Sequence, residues 1–361
     1  MLKRLQSLDF LRGCIMVLLA LEGAGLYHVM NEYADGTWFH YIARQFDHHQ
    51  WNGLRFWDLI QPGFMFIAGT AMAYSLHKQQ ENGVPWNHSF KKALKRSFWL
   101  FFWGVLNYAV RKDGLSFELW NVLTQLSFTM LVAFLIFRLS SGTQIIICAG
   151  ILLLTEILYR FTHVPGFDQP FTDQHNFGNY VDLLLMGKIN GGGWVAINCI
   201  PTAVHTIAGA LAGKLLLSQR NDKVKQLLIW SGICLAAGFA LDWLHITPII
   251  KRIATTSFTL ASLGWCLLAL TACYWWIDIK DHRKHLFFFT VVGMNSIFIY
   301  LFFEIVGARW FNGYVGAVTN GLMEMAGFPL LLMKIITCLV IFGLEWGLCY
   351  FLYKKKIFFR L

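Results

Sequence analysis

Long apolar runs, separated by short segments that carry the basic residues, constrain the fold of this chain more than any other feature. Each run has the roughly 20 residues that cross ~30 Å of hydrocarbon as a helix. A helix satisfies its own backbone hydrogen bonds, which lipid requires. We therefore predict an all-α fold, a polytopic membrane helical bundle that forms one domain over residues 1–361. Its transmembrane helices, about ten, are predicted at 8–29, 55–77, 95–111, 118–139, 143–161, 195–217, 225–243, 254–278, 286–306 and 328–353.

The composition supports this class and argues against others. Hydrophobic residues make up 57% of the chain and charged residues 14%, against roughly 25% charged in a soluble domain. The net charge of +10 does not indicate a nucleic-acid partner, because the basic residues lie between apolar runs and form no single patch. The eight cysteines lie in or beside apolar runs without a CxxC pair. Neither a disulfide framework nor a metal site is expected.

The distribution of Lys and Arg predicts the topology. If the N-terminus is cytoplasmic, the inside segments hold 18 of these residues and the outside segments nine, as the positive-inside rule requires. We expect an integral protein of a bacterial inner membrane with both termini in the cytoplasm. The first apolar run, which contains acids and an arginine, is interpreted as a retained span. The long segments at about 30–54 and 162–194 are predicted to fold over the outer face.

Charged residues inside the first two spans are the strongest functional signal, because lipid penalises them. Asp9 and Arg12 are three residues apart and share one helical face. They form either a structural ion pair or, through Arg12, a site for an anionic ligand. Glu22 approaches the outer end of the first span, and Asp58 lies in the first turns of the second. Each is either a site residue or a structural acid, and Asp58 also suits a helix start.

The segment DHHQWNGLRFWD (47–58) places two histidines directly before the second span. A carboxylate beside an imidazole fixes its tautomer and raises its basicity. This pair can take a proton from an attacking hydroxyl or amine, or the imidazole can accept an acyl group itself. The catalytic candidates are His48, Asp58 and Glu22, and the neighbouring candidates for substrate binding are Asn52, His49 and Trp51. Interfacial anchoring of the helix is the alternative.

Two further segments carry polar residues at span boundaries. PIIKRIATTSF (248–258) offers cations and hydroxyls at a helix start, which suits an anion or a sugar; snorkelling cations are the alternative. GMNSIFIY (293–300) places an amide within a span, where it bonds another helix or faces a cavity. The substrate-binding candidates here are Lys251, Thr255, Ser257 and Asn295. The chain has no Gly-rich phosphate loop, HExxH or GxSxG, so ATP-dependent, metallohydrolase and serine-hydrolase activities have no support.

The segments RLQSLDFLRG, LEGAGLYH and HHQWNGLRFWDLIQPGFMFIAG resemble bacterial relatives of heparan-α-glucosaminide N-acetyltransferase, a transmembrane acyltransferase family. GGGWVAINCIPTAVHTIAGALAG (191–213) and residues 248–265 resemble the same family. The resemblance implies a ten-span core in which cytoplasmic acetyl-CoA enters between the helices and its acetyl group reaches an acceptor on the far side. It implies that His48, three residues before Trp51, is the active histidine, and it is compatible with a homodimer. The acid at Glu22 and the amide at Gln61 depart from the family pattern.

The leading hypothesis is a membrane acyltransferase that moves an acetyl or similar small acyl group from cytoplasmic acyl-CoA to a glycan or amino sugar. Acetyl-CoA is the expected donor, and the acceptor is a sugar amine or hydroxyl on the outer face. The cytoplasmic candidates for binding the CoA phosphates are Arg12, Lys92, Lys95 and Arg96, although positive-inside charge explains the same residues. One rival is a secondary transporter for a small anionic or sugar-like solute, which would use matched halves that the sequence does not show. A second rival is a non-catalytic subunit that binds glycan or lipid through its outer aromatic loops.

Overall fold

The structure is a computed structural model and describes residues 5–111 and 114–359. Four of the basic residues used to predict the topology, Lys3, Arg4, Lys112 and Arg360, lie outside these ranges. The described residues form the helices α1 (Gln6–Gly23), α2 (Leu26–Ala34), α3 (His40–Ala43), α4 (Ile60–Glu81), α5 (Trp86–Ala109), α6 (Val122–Ile136), α7 (Ser141–Phe161), α8 (Phe177–Met186), α9 (Cys199–Leu217), α10 (Lys223–Trp243), α11 (Thr256–Cys273), α12 (Leu286–Met294), α13 (Ser296–Leu301), α14 (Asn312–Met325) and α15 (Leu330–Lys354).

Short irregular elements complete the architecture. Strands β1 (Val110–Arg111) and β2 (Gly114–Leu115) form an antiparallel pair, in which the backbone of Val110 pairs with that of Leu115. Three 3₁₀ turns cover Arg44–Phe46, Phe56–Leu59 and Ala196–Asn198, and π-helices continue α11 over Tyr274–Ile279 and α13 over Phe302–Phe311. The predicted all-α class is confirmed.

Six helical stretches are long and apolar enough to cross a membrane: Phe56–Glu81, Ser141–Phe161, Ala196–Leu217, Lys223–Trp243, Thr256–Ile279 and Leu330–Lys354. Two bent pairs, α1 with α2 at 66° and α12 with Ser296–Met325 at 74°, raise the number to eight if each crosses as one unit. The predicted count of about ten is therefore not confirmed within the described residues. The two stretches outside this set are α5, whose first half holds four cations, and α6, whose 15 residues extend only ~22 Å at 1.5 Å per residue.

Glycines bring the central helices α4 and α9 into close contact. A β-carbon at Gly69 of α4 would collide with the carbonyl oxygen of Thr206, and one at Gly209 of α9 would collide with the carbonyl oxygen of Phe66. Small residues allow this approach between membrane helices, where apolar burial against lipid supplies little drive. Both helices begin at the same end of the bundle, so their contact fixes the segments that precede them.

Three segments outside the helices meet at that end, which we call the loop face: residues 35–55, 162–195 and 244–255. Asn52 and Ile250 form an antiparallel β-bridge, and the Gly53 amide donates to the Ile249 carbonyl at 2.8 Å. The Trp51 indole donates to the Phe171 carbonyl at 2.8 Å. Backbone pairing and one indole bond thus hold the histidine segment against both other segments.

Candidate functional site

The 3₁₀ turn Phe56–Leu59, at the start of the apolar stretch Phe56–Glu81, fixes Asp58. Its side chain is 1% exposed. One carboxylate oxygen, Oδ2, accepts from the backbone amides of Arg55 at 2.9 Å and His49 at 3.3 Å. The other oxygen, Oδ1, lies 3.1 Å from Nδ1 of His48. The local turn therefore aims one oxygen of a buried carboxylate at the imidazole, as the sequence predicted for this pair.

His48 contacts a third group, which comes from a distant part of the chain. The Lys251 ammonium nitrogen lies 3.0 Å from His48 Nδ1 and 3.6 Å from Asp58 Oδ1. The Lys251 side chain is 6% exposed, whereas that of His48 is 36% exposed. The imidazole atom Nε2 has no hydrogen-bond partner among residues 5–111 and 114–359. The ring thus turns one nitrogen toward the buried pair and leaves the other available to a substrate.

Burial sets the protonation of this cluster. It lowers the pKa of His48 below its usual 6.5, and the Lys251 charge lowers it further, while Asp58 and Asp47 oppose the shift. Burial also lowers the pKa of Lys251 to about 8, although the carboxylates of Asp58 and Glu22 act against it. At neutral pH the imidazole is therefore uncharged, which is the form that can act as a base or a nucleophile.

Trp194 forms one wall of the site and is not among the residues predicted from the sequence. Its ring meets the His48 imidazole edge to face, with centroids 5.8 Å apart, and the Lys251 ammonium lies 5.3 Å from its centroid. The preceding Gly193 has φ +76°, and a side chain there would collide with Asp173 and press on Trp51. The glycine run before a tryptophan was the signal available in the sequence.

Glu22 lies beside the cluster, at the C-terminal end of α1. Its Oε1 accepts a hydrogen bond from the buried Trp57 indole at 3.2 Å, and its charge acts on Lys251. A second acid, Glu304 in the π-helix after α13, lies close enough for its charge to act on Glu22. Glu304 was also not identified from the sequence, although an acid within the apolar segment IYLFFEIVG was visible.

The other candidates of the histidine segment contact the backbone of neighbouring residues and do not face His48. Asn52 is exposed and pairs through its backbone with Ile250. The His49 ring packs on Gly53, where φ is +148° and a β-carbon would lie 2.5 Å from the ring nitrogen Nε2. Trp51 donates its indole hydrogen to Phe171. These three residues shape the segment that carries His48.

The hydroxyls predicted to bind substrate also bond the backbone. Thr255 and Ser257 both donate to the Pro248 carbonyl at 2.7 Å, and the Ile250 amide donates to the Thr255 hydroxyl at 3.0 Å. Both side chains are buried. They fix the turn that carries Lys251, so their contribution to the site is to place that ammonium.

Asn295 and the basic candidates lie apart from the His48 cluster. The Asn295 amide donates to the Ile357 carbonyl at 3.2 Å and accepts from the Phe359 amide at 3.0 Å. Arg12 bonds Asp9 at 2.9 Å, as its spacing predicted, and the charge of Arg12 acts on Arg96. These two guanidinium groups, on α1 and α5, are thus near enough for their charges to interact. The side chains of the other two candidates, Lys92 and Lys95, are exposed.

The arrangement fits acid–base or acyl-transfer chemistry at an imidazole. Among the described residues, no group of three or more His, Cys, Asp or Glu side chains is placed to hold a metal ion. A neutral imidazole with an oriented carboxylate behind it and an accessible Nε2 is equipped to take up a proton or an acyl group.

Comparison with known proteins relates this arrangement to one family. A family model described as heparan-alpha-glucosaminide N-acetyltransferase, catalytic, matches residues 4–225, which include His48, Asp58 and Trp194 but not Lys251. The heparan-alpha-glucosaminide N-acetyltransferases of Mus musculus and Homo sapiens are each 24% identical to the chain over 424 aligned positions. The alignment covers 99% of this chain and 60% of each relative, so the chain spans about 60% of the length of these curated relatives.

Proposed function

The chain belongs to the heparan-alpha-glucosaminide N-acetyltransferase catalytic family, and from this premise we propose that it transfers an acetyl group from acetyl-CoA to a sugar amine or hydroxyl. The observation that carries the proposal is the His48–Asp58 pair, with its 3.1 Å contact and the open Nε2. The apolar helices are suited to a lipid bilayer, so the proposed enzyme is an integral membrane protein. Heparan sulfate is not proposed as the acceptor.

Two routes use the same atoms. In the first, His48 Nε2 takes the proton of the acceptor while the acceptor attacks the thioester carbonyl, and the thiolate of CoA leaves and is then protonated. In the second, Nε2 attacks the thioester and CoA leaves as its thiolate. The acetyl-imidazole then passes the acetyl group to the acceptor, whose proton is taken up by the released thiolate or by solvent. Asp58 stabilises the positive charge on the imidazole in both routes, because its Oδ1 lies 3.1 Å from Nδ1.

The acceptor and the donor are proposed to approach from opposite ends. Glu22 and Glu304, near the His48 cluster, would bind the acceptor through its hydroxyl or amine groups. Arg12 and Arg96, whose charges act on each other, would bind the CoA phosphates, since guanidinium groups pair well with phosphate. Lys92 and Lys95 would add charge at the same end, with the donor in the cytoplasm.

Three further features of the protein are predicted from the sequence. The bacterial inner membrane, the cytoplasmic termini and the homodimer rest on the charge distribution and the resemblance. Membership of an acetyltransferase family favours acyl transfer over the transport alternative.

Label transfer with purified protein tests the proposal. Isotopically labelled acetyl-CoA is supplied with a panel of amino sugars and neutral glycans, and the parent is compared with His48→Ala. We expect labelled product from the parent and a loss of about 100-fold or more in the variant, since a positioned base or nucleophile contributes on this order. His28→Ala is the matched control, because His28 is 84% exposed on α2. Equal transfer by His48→Ala would end the proposal, and solute uptake without transfer would favour the transporter.

A further inference from the structure

A single nitrogen of His48 has two polar partners. Nδ1 lies 3.1 Å from Asp58 Oδ1 and 3.0 Å from Lys251 Nζ, and the two partners lie 3.6 Å apart. An imidazole nitrogen has one orbital in the ring plane, so it either donates through N–H or accepts through its lone pair. Asp58 can only accept, and a charged Lys251 can only donate. The two partners therefore favour different tautomers of the same ring.

We propose that Lys251 is a positioning residue whose charge decides which nitrogen of His48 carries the proton. The inference rests on the proposed function, in which Nε2 is the reacting atom. It replaces the prediction that Lys251 binds substrate, because the ammonium faces His48 and Asp58 and its side chain is only 6% exposed.

The two charge states of Lys251 give His48 two forms. When Lys251 is an ammonium, it donates to Nδ1 and to Asp58, so the ring proton sits on Nε2 and Nε2 can only donate. In the other form, Lys251 has passed a proton to Nδ1 and Nε2 has released its own proton to solvent, so Nδ1 carries the ring proton and donates it to Asp58. Nε2 then presents its lone pair. Only the second form can act as base or nucleophile at the open side of the ring.

The surroundings of Lys251 allow this change near neutral pH. Three charged groups in the described part of the chain act on the Lys251 ammonium. They are the carboxylates of Asp58, in the stretch Phe56–Glu81, and of Glu22, on α1, and the guanidinium of the adjacent Arg252. The charge of Asp47, in the same segment as His48, also acts on the His48 imidazole. The Trp194 ring covers the ammonium on a further side. Burial outweighs the two carboxylates and lowers the pKa of Lys251 to about 8.

The pH dependence of transfer tests the inference in the full-length protein. With a Lys251 pKa of about 8, the parent rate should rise about tenfold from pH 7 to pH 9. Lys251→Met should remove this rise and leave the rate at the high plateau, because Asp58 then holds Nδ1–H at both pH values. Lys251→Arg should remove the rise and leave the rate low, because a guanidinium stays charged. An amine acceptor ionises equally in all three proteins, so it cannot produce the difference.

A purely structural role would predict another pattern. Both variants would lose activity and keep the pH profile of the parent, and that result would overturn the inference. Lys188→Met is the matched control, because Lys188 forms its ion pair with Glu118 elsewhere on the loop face, at 2.9 Å. We expect its pH profile to equal that of the parent.

Nitrogen-15 NMR of histidine-labelled protein in nanodiscs reports the tautomer without requiring turnover. The His48 signals are identified by their loss in His48→Gln. We expect the proton on Nε2 at pH 7 and on Nδ1 above the Lys251 pKa in the parent, and on Nδ1 throughout in Lys251→Met. A proton on Nδ1 at every pH in the parent would overturn the inference even if transfer proceeds. If the ring proton changes nitrogen with pH as expected but no acetyl transfer is detected, the inference about Lys251 is supported and only the proposed function is contradicted.

Discussion

At the scale of single residues, the two carboxylate oxygens of Asp58 have different partners. Oδ2 is occupied by the backbone amides of Arg55 and His49, which leaves Oδ1 for the imidazole. Because the carboxylate is buried and held by its own turn, it cannot rotate away from His48. The 12-residue segment 47–58 thus supplies both the carboxylate charge and its orientation toward the His48 imidazole.

The substitution Asp58→Asn tests whether that charge matters. An amide of the same shape can keep one oxygen on the two backbone amides, but it then points an NH₂ donor at His48 Nδ1. This favours the tautomer with the proton on Nε2. We expect kcat to fall by about 10²–10⁴-fold with little change in KM, measured by label transfer.

Asp35→Asn is the control for this substitution, because Asp35 is 83% exposed and its carboxylate pairs with His40, at 3.2 Å, rather than with His48. A thermal melt of each variant checks that the fold is retained. A kcat for Asp58→Asn close to that of the parent would show that Asp58 is only a helix-start acid.

The contact of His48 with Asp58 could be predicted from the sequence, because their ten-residue separation lies within one local segment. The sequence could not place Lys251 beside them, since that contact spans 203 positions and depends on how the loop-face segments pair. Thr255 and Ser257 show a second limit. Short hydroxyl side chains readily bond nearby backbone, and nothing in a sequence distinguishes that use from a ligand contact.

At the scale of the elements, hydrophobic runs predicted where helices occur but not where they bend. The first predicted span breaks into α1 and α2 at a 66° angle, at Gly25 with φ +88°. The ninth breaks at Asn295, between α12 and α13. Apolar residues occur on both sides of each break, so a hydropathy pattern does not mark its position.

The contact of α4 with α9 is the element-scale feature that fixes the site, since both helices lead out of loop-face segments. Gly209→Val should push the helices apart, because its side chain would meet the Phe66 carbonyl, a rigid backbone group. We expect a loss of ~1–3 kcal/mol or more, seen as a lower melting temperature in detergent together with reduced transfer. Gly150→Val on α7 is the control, since a β-carbon at Gly150 meets nothing within 4 Å. Equal melting temperatures would show that α4 and α9 do not need this contact.

At the scale of the whole molecule, the groups assigned to the two substrates lie in separate places. The His48 cluster lies at the loop face, and Arg12 with Arg96 lies on α1 and α5 away from it. A separation of this kind suits a reaction in which the donor and the acceptor come from different compartments. The charge bias of 18 to nine predicts which compartment is which.

Cysteine labelling in intact cells tests that orientation. Tyr41 on the loop face is 79% exposed, and Gln219, between α9 and α10, is also exposed. We expect Tyr41→Cys to react with a membrane-impermeant thiol reagent from outside, and Gln219→Cys to react only after the membrane is permeabilised. The parent gives the background of the eight native cysteines. Labelling of position 219 alone from outside would invert the topology, so acetyl-CoA from the cytoplasm would then meet the loop face directly and no passage through the helices would be needed.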